Sequence, residues 1–417
     1  MNKKDLHPES LMMSFGYQPE LSEGAVKCPV FQTSTYAFKT AEEGKAYFEL
    51  AYGLRDAQPS EEMGLIYSRL NTPNMEILEN RMGLWDKAED CAVFDSGMAA
   101  ISTIFLAYLK PGDTLLYNQP LYGGTVHFIE HILPSMGINI VEFDAWDDPK
   151  EVMKGIRQKG QGDSLKMVYL ETPTNPTNHL IDIEAYCNLA KEFSTEDKKV
   201  LVTVDNTYLG PMWQHPLQVG ADLVVYSATK FFGGHSDLIA GAVMGNTQWI
   251  AKIKEMRVFL GNMPAPWTCW LLLRSLETLK MRMERQEKNT REVAKFLHHH
   301  PKVKTIHYLG FEEDMDARTR RIYRKQCSAP GSMIAFEVRG GEAGAFAFLN
   351  NLHLIKLAVS LGSTESLVQH PASMTHAGMD PDERDRLGIT DELVRLSIGV
   401  EHPDDLIMDI RQALSDV

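Results

Sequence analysis

The chain has 417 residues, 44% of them apolar, enough to fill the cores of about two domains. Acidic residues outnumber basic ones 56 to 42, and the formal charge of −14, with no long basic cluster, argues against nucleic acid as a partner. No stretch approaches the roughly 20 apolar residues of a membrane helix, the N-terminal MNKKDLHPESLMMSFGYQPE lacks the apolar core of a secretion signal, and a soluble, cytoplasmic protein is expected.

In chain order, residues 1–63 are polar and irregular, with weak helical periodicity only in AEEGKAYFELAYGL, and read as an arm. Over 64–263 the texture changes. Helix MEILENRMGLWD is followed by strand CAVF, helix AAISTIFLAYL, strand DTLLYN, helix VHFIEHILPSM, strand INIVEF, helix PKEVMKGIRQ and strand LKMVYLE. Helix DIEAYCNLAKEFS, strands VLVTVD, DLVVYS and AGAVM, and helix TQWIAKIKEMRVFL complete the unit. Strands buried on both faces and separated by amphipathic helices predict an α/β domain with a mostly parallel sheet of about seven strands. NMPAPW breaks the pattern. Long helices then run through 267–300, followed by strand-like SMIAFEVRG, helix EAGAFAFLNNL and a last helix, which makes 264–417 a smaller α+β domain. The five cysteines, Cys28, Cys91, Cys187, Cys269 and Cys327, are odd in number and lack a CxxC, so they read as buried fillers rather than disulfides or zinc ligands.

Ligands of open α/β sheets bind beyond the carboxyl ends of the strands, so the residues just past each strand are informative. CAVF leads into DSGMAA, where Gly97 and Met98 open a helix whose free amides suit a phosphate. Tyr122 comes after DTLLYN in QPLYGGT, Glu171 and Asn175 lie in ETPTNPT, and Asp205 ends VLVTVD. Ser227, Thr229 and Lys230 end DLVVYSATK. An ammonium at the end of a buried strand is costly unless used. A lysine able to form an imine, an acid for a ring nitrogen and donors for a phosphate are together what pyridoxal phosphate requires. Other patterns carry less. His127, Glu130 and His131 spell HxxEH, a spacing of some zinc peptidases, but lie in an ordinary crossover helix, and His298, His299 and His300 read as a solvated helix end. No metal is therefore expected. The chain has no GxGxxG or GxxxxGK[ST] loop, which weakens a nucleotide-binding dehydrogenase or a non-catalytic α/β binding protein as rival readings.

From KCPVFQTSTYAF through VRLSIGVEHPDDL the chain resembles the pyridoxal-phosphate enzymes of cysteine and methionine metabolism. These include cystathionine γ-synthase, cystathionine γ-lyase, methionine γ-lyase and O-acylhomoserine sulfhydrylase. The resemblance implies the type I pyridoxal-phosphate-dependent transferase fold, with Lys230 bound to the cofactor as an imine and Asp205 paired with its ring nitrogen. Ser227, Thr229, Gly97 and Met98 would surround the phosphate, Tyr122 would stack on the ring, and Glu171 and Asn175 would flank it. Tyr67 and Arg69 in IYSRLNTPN match residues the family sends into a neighbouring subunit's phosphate site, implying a homo-oligomer, a tetramer built from dimers that share active sites. Ser360 and Arg395 match the holders of the substrate carboxylate.

The implied reaction is γ-elimination or γ-replacement on a small sulfur or homoserine-derived amino acid. Relatives that handle cystathionine carry acids where this chain has Val359 and Ile66, which favours methionine γ-lyase chemistry. Methionine γ-lyases usually have cysteine where this chain has Gly124, which keeps O-acetylhomoserine sulfhydrylase and cystathionine γ-synthase chemistry as alternatives. Thr72-Pro73-Asn74 also replaces the usual Asn-Pro-Thr, and AYGLRDAQPSEEMGL before Tyr67 is longer than common, so a differently shaped entrance is expected.

Overall fold

A computed structural model describes residues 6–59, 61, 63–415 and 417. Residues 1–5 of the expected arm, and Ser60 and Glu62 of the long stretch before Tyr67, lie outside the described residues. Seven strands form one sheet: β1 (Asp90–Phe94), β2 (Thr114–Gln119), β3 (Asn139–Asp144), β4 (Leu165–Glu171), β5 (Leu201–Asp205), β6 (Leu223–Ser227) and β7 (Gly241–Gly245). Their order is β1-β7-β6-β5-β4-β2-β3. Strands β3, β2, β4, β5 and β6 run parallel, while β7 is antiparallel to both β6 and β1. The carboxyl ends of β1, β2, β4, β5 and β6 therefore share one rim.

Alternation along the strands separates two apolar layers. Ala92, Phe94, Leu115, Tyr117, Met167, Tyr169, Leu223 and Val225 pack with helices Gly97–Tyr108 and Thr247–Leu260. Val93, Val224, Tyr226 and Met244 face the opposite way, towards helices Pro73–Asp86 and Pro266–Leu276, while Leu116, Val168, Val202 and Val204 meet Ile183–Glu192. Helices on both faces are why the central strands read as continuous apolar runs. The edge strand β3 is the exception, with most of its residues partly or fully exposed.

A second sheet contains β8 (Val303–His307), β9 (Met333–Val338), β10 (Lys356–Leu357), β11 (Leu367–Gln369) and β12 (Leu393–Ser397), in the order β10-β11-β12-β9-β8. Only β9 carries an obvious strand signature in the sequence. Its neighbours are short or, in β8 and β10, largely exposed, so they show no apolar run. Helices Leu279–His298, Gly341–Asn350 and Pro403–Ser415 cover this sheet. Helix Ala317–Gln326, ARTRRIYRKQ, also escaped the sequence reading because it buries only Ile322, Tyr323 and Gln326.

Two expected helices are interrupted. Residues 267–300 divide into Pro266–Leu276 and Leu279–His298. The crossover expected as VHFIEHILPSM starts as Gly123–His127 and widens into a π turn over Phe128–Ile132, where the His127 and His131 rings stack with centroids 4.3 Å apart. Glu130 accepts hydrogen bonds from Tyr117 Oη and Gln119 Nε2 and is thereby tied to β2. Thr72 explains the Thr-Pro-Asn departure: its Oγ1 accepts from Met75 N, Pro73 occupies the first turn, and buried Asn74 accepts from Phe31 N. Cys28, Cys91, Cys187 and Cys269 are buried, Cys327 is half-buried, and all five are free. Among the described residues, no helix is long and apolar enough to cross a membrane.

The two sheets meet above the shared rim. After β4, Asn178 adopts a left-handed conformation (φ 60°) and its Nδ2 donates to His307 O at 2.8 Å and Met333 O at 3.3 Å. One side chain thus bonds to both β8 and β9.

Candidate active site

Beyond the carboxyl ends of the large sheet lies a cavity of about 320 Å³. It gathers Gly97, Met98, Tyr122, Glu171, Asn175, Asp205, Ser227, Thr229 and Lys230 from the large sheet's rim, and Val359, Ser360 and Arg395 from the smaller sheet's side. Twelve residues singled out in the sequence are thus brought together.

Each is placed by local geometry. Ser96 caps helix Gly97–Tyr108, accepting from Ala99 N at 3.0 Å, which leaves the first-turn amides at the cavity. Gly97 is required by a close approach: a Cβ there would lie 2.9 Å from Ser227 Cβ. Ser227 N donates to Thr207 Oγ1 at 2.8 Å, and the Thr229 hydroxyl exchanges bonds with the Ala240 backbone. The β6 end is therefore rigidly tied to β7.

Lys230 Nζ donates to Ser360 Oγ at 3.0 Å. Burial, and secondarily the Arg395 charge, push its pKa down to about 8, so near neutrality an appreciable fraction is uncharged. Asp205 is buried and accepts from Tyr169 Oη at 3.1 Å and Thr207 N at 2.9 Å. Among the described residues no cation pairs with it, and burial raises its pKa. Glu171 accepts from the amides of Tyr122 at 2.9 Å and Asn175 at 3.0 Å. Burial and then the nearby Asp205 charge raise its pKa as well.

Arg395 is buried in β12. Its Nη1 donates to Asn175 Oδ1 at 3.0 Å and its Nη2 to Ser360 O at 2.7 Å, while its buried Nε has no partner among the described residues. Two elements thus hold the guanidinium in place at the cavity wall. Tyr122 is 43% exposed at the mouth, and a Cβ on Gly124 would lie 2.7 Å from its ring.

Sequence reasoning missed several lining residues: Thr207, Tyr208, Ile239, Leu361, Gln369 and Thr375. Thr207 could have been found from its place two residues after Asp205. Gln369 and Thr375 could not, because β11 has no motif and reaches the cavity only by pairing with β12, where Gln369 stands opposite Arg395. Conversely, Ile66, Tyr67 and Arg69 do not line the cavity within one chain. Ile66 is 5% exposed and packs inside its own chain, whereas Tyr67 is 42% exposed. Arg69 donates to Val258 O at 3.0 Å and lies over the Tyr67 ring.

The donor set fits pyridoxal phosphate. It contains a partly neutral lysine, a buried carboxylate without a counter-cation, and hydroxyls beside a helix N-terminus for a phosphate dianion.

Comparison with known proteins agrees. Residues 9–415 match the family model described as Cys/Met metabolism PLP-dependent enzyme. The chain is 40% identical over 396 residues to L-methionine gamma-lyase of Porphyromonas gingivalis, covering 94% of each protein. It is 35% identical over 418 residues to cystathionine beta-lyase MetC of Bacillus subtilis, covering 100% of this chain and 98% of the other. The crystal structure of cystathionine gamma-lyase from Lactobacillus plantarum complexed with L-serine superposes with a TM-score of 0.85 at 32% identity, over 99% of both chains. With the fold, the cavity and the matched length in accord, the chain belongs to the Cys/Met-metabolism family of pyridoxal-phosphate-dependent enzymes.

Proposed function

We propose that this enzyme is a carbon–sulfur lyase acting on L-methionine, converting it with water to 2-oxobutanoate, ammonia and methanethiol. The observation that carries the reading is the cavity wall. Its outer side presents Val359 and Ile239, and its carboxylates, Glu171 and Asp205, are buried and already hydrogen-bonded. An apolar wall accommodates a methylthio group, whereas the distal ammonium of cystathionine would be left without a partner at considerable cost. The relatives named L-methionine gamma-lyase are also more similar to this chain than those named cystathionine lyases.

When bound, the cofactor supplies an electron sink for charge developing at the substrate's α-carbon. Arg395 takes the substrate carboxylate and fixes the α-carbon's orientation. Asp205 would pair with the positive ring nitrogen, and the first-turn amides of Gly97 and Met98 with the hydroxyls of Ser227 and Thr229 would hold the phosphate. Tyr122 would cover the ring, and Asn175 would serve its hydroxyl. Lys230 would be the base that takes the α-proton, with Ser360 Oγ steering its Nζ. Tyr122, at the cavity mouth, would be the proton donor to the departing sulfur.

Tyr67 and Arg69 belong in this proposal to the neighbouring subunit's phosphate site, with Ile66 behind them as packing. The assembly is a homotetramer built from two such dimers, in the cytoplasm. Residues 1–63 act as the arm, 64–263 as the cofactor-binding domain and 264–417 as the C-terminal domain.

A second reading is γ-replacement on O-acetyl-L-homoserine. It is favoured by Gly124, which leaves the Tyr122 ring space that a cysteine side chain would occupy. Steady-state kcat/KM for L-methionine, L-cystathionine and O-acetyl-L-homoserine with and without a thiol decides between them. Methanethiol and 2-oxobutanoate released in equal amounts from methionine support the lyase. A preference for cystathionine refutes the argument from the wall.

A further inference from the structure

The amino ends of the same parallel strands carry a second feature, which the chemistry above leaves unused. Asp113 before β2, Lys166 at the start of β4, Lys198 and Lys199 before β5, and Leu201 at its start line a cavity of about 440 Å³. Tyr108 and Lys110 join them from the end of helix Gly97–Tyr108 and just beyond it, with Gln248, Trp249 and Lys252 from helix Thr247–Leu260. The volume falls within the range of about 300–1,000 Å³ typical of small-molecule sites.

Five lysines thus converge on one concavity in a protein whose formal charge is −14. Some are held in place. Lys198 Nζ donates to the carbonyls of Gly162 at 3.0 Å and Asp163 at 2.8 Å, Lys166 Nζ to Lys199 O at 3.2 Å, and Lys199 pairs with Asp222 at 3.1 Å. Among the described residues, Lys110 and Lys252 form no ion pair. Lys252 Nζ instead lies over the Tyr108 ring, 4.8 Å from its centroid. That ring meets Trp249 edge-on at 5.9 Å, and Tyr108 Oη donates to Trp249 O at 2.6 Å, so the aromatic floor is fixed. Partial burial and then the charges of Lys110 and Lys166 lower the Lys252 pKa, with Glu255 opposing, so the ammonium groups repel one another. The single lining carboxylate, Asp113, accepts from Lys110 N at 2.8 Å. The positive end of helix Thr247–Leu260 adds to the field.

Clustered cations fixed against a rigid aromatic floor, with too few acids to neutralise them, match an anion bearing several charges at short spacing. We propose that this cavity binds a small molecule carrying a polyphosphate chain, on the side of the sheet opposite the catalytic cavity. The phosphate chain is the shared chemistry; it can belong to an inorganic polyphosphate or to a nucleoside triphosphate.

The test uses the holoenzyme, whose catalytic phosphate pocket is filled. Tripolyphosphate and ATP are titrated separately by calorimetry, and Trp249 emission is followed against a Trp249→Phe control. Saturable binding with one site per chain is expected, weakening as salt is raised. The Lys110→Gln/Lys252→Gln variant should raise Kd on the order of tenfold, with methionine turnover and circular dichroism unchanged. If that variant loses its fold, Lys252→Gln alone should raise Kd about threefold. Equal affinity for the two probes would assign recognition to the phosphate chain, and tighter ATP binding would add the aromatic floor. Absence of saturable binding at millimolar probe, or affinity indifferent to the lysine substitutions, would overturn the proposal.

Discussion

Lys230 sits where an ammonium is disfavoured, and its usefulness and its cost have the same origin. Burial lowers its pKa to about 8, against about 10.5 for the exposed side chain. The unfolded chain therefore binds more protons than the folded one between those values, and the destabilisation from Lys230 is fully present below pH 8 and fades as pH rises towards 10.5. In cofactor-free protein, Lys230→Met should raise stability at pH 7 by up to about 3 kcal/mol, and urea unfolding should show that gain shrinking by pH 10. The same substitution should abolish methionine turnover and the visible absorption of the bound cofactor. Val359 is the second informative residue. At 60% exposure beside Ser360 it can be replaced without disturbing a core. Val359→Glu should raise kcat/KM for L-cystathionine relative to L-methionine on the order of tenfold, equivalent to about 1.4 kcal/mol. An unchanged ratio would show that Val359 does not face the substrate.

Helix Gly97–Tyr108 shows how an element is committed to a ligand. Its apolar stripe packs into the large sheet's core through Ile101, Ile104 and Phe105, which fixes where its N-terminus points. Ser96 satisfies one early amide and leaves others for a phosphate. The close packing of Gly97 on Ser227 makes the junction intolerant of a side chain. Gly97→Ala brings a Cβ to 2.9 Å from Ser227 Cβ and must push the helix start away from the end of β6. We expect cofactor affinity to fall about tenfold, roughly 1.4 kcal/mol, in absorbance titrations of cofactor-free protein, with smaller changes in global unfolding. A large loss of stability with unaltered affinity would place Gly97 in packing alone.

At the scale of the whole molecule, one chain presents a catalytic cavity that its own Tyr67 and Arg69 do not reach. Both are exposed, next to a segment whose Ile66 is firmly buried. If they complete the site of a two-fold-related neighbour, activity belongs to the assembly. Arg69→Ala and Lys230→Ala proteins should each be inactive alone. Exchanged together, they should recover up to about a quarter of wild-type activity, since random pairing makes half of the dimers hybrids with one intact site of two. Demonstrably mixed oligomers without recovery would remove Arg69 from the partner's site.

Much of the large sheet was legible in the sequence because strands covered by helices on both faces must be apolar throughout, and LKMVYLE, VLVTVD and DLVVYS have few other uses. The cavity-lining residues of the large sheet were legible for a related reason: each comes just after a recognisable strand, and parallel topology delivers all those strand ends to one rim. The second sheet was mostly hidden, since β8 and β10 are largely exposed, β10 and β11 have only two and three residues, and Arg395 interrupts the apolar run of β12. Gln369 and Thr375 enter the cavity only through that pairing. The placement of the Arg395 guanidinium depends on Asn175, 220 residues away, and Ser360, 35 residues away, which accept from its Nη1 and Nη2. The sequence by itself determined the layered α/β architecture, the lysine and the cofactor chemistry, because local periodicity and strand-end motifs encode them. Only the tertiary structure decided how the Arg395 guanidinium is held, which side chains wall the cavity, and that Ile66 faces inward, because those depend on contacts between segments tens to hundreds of residues apart.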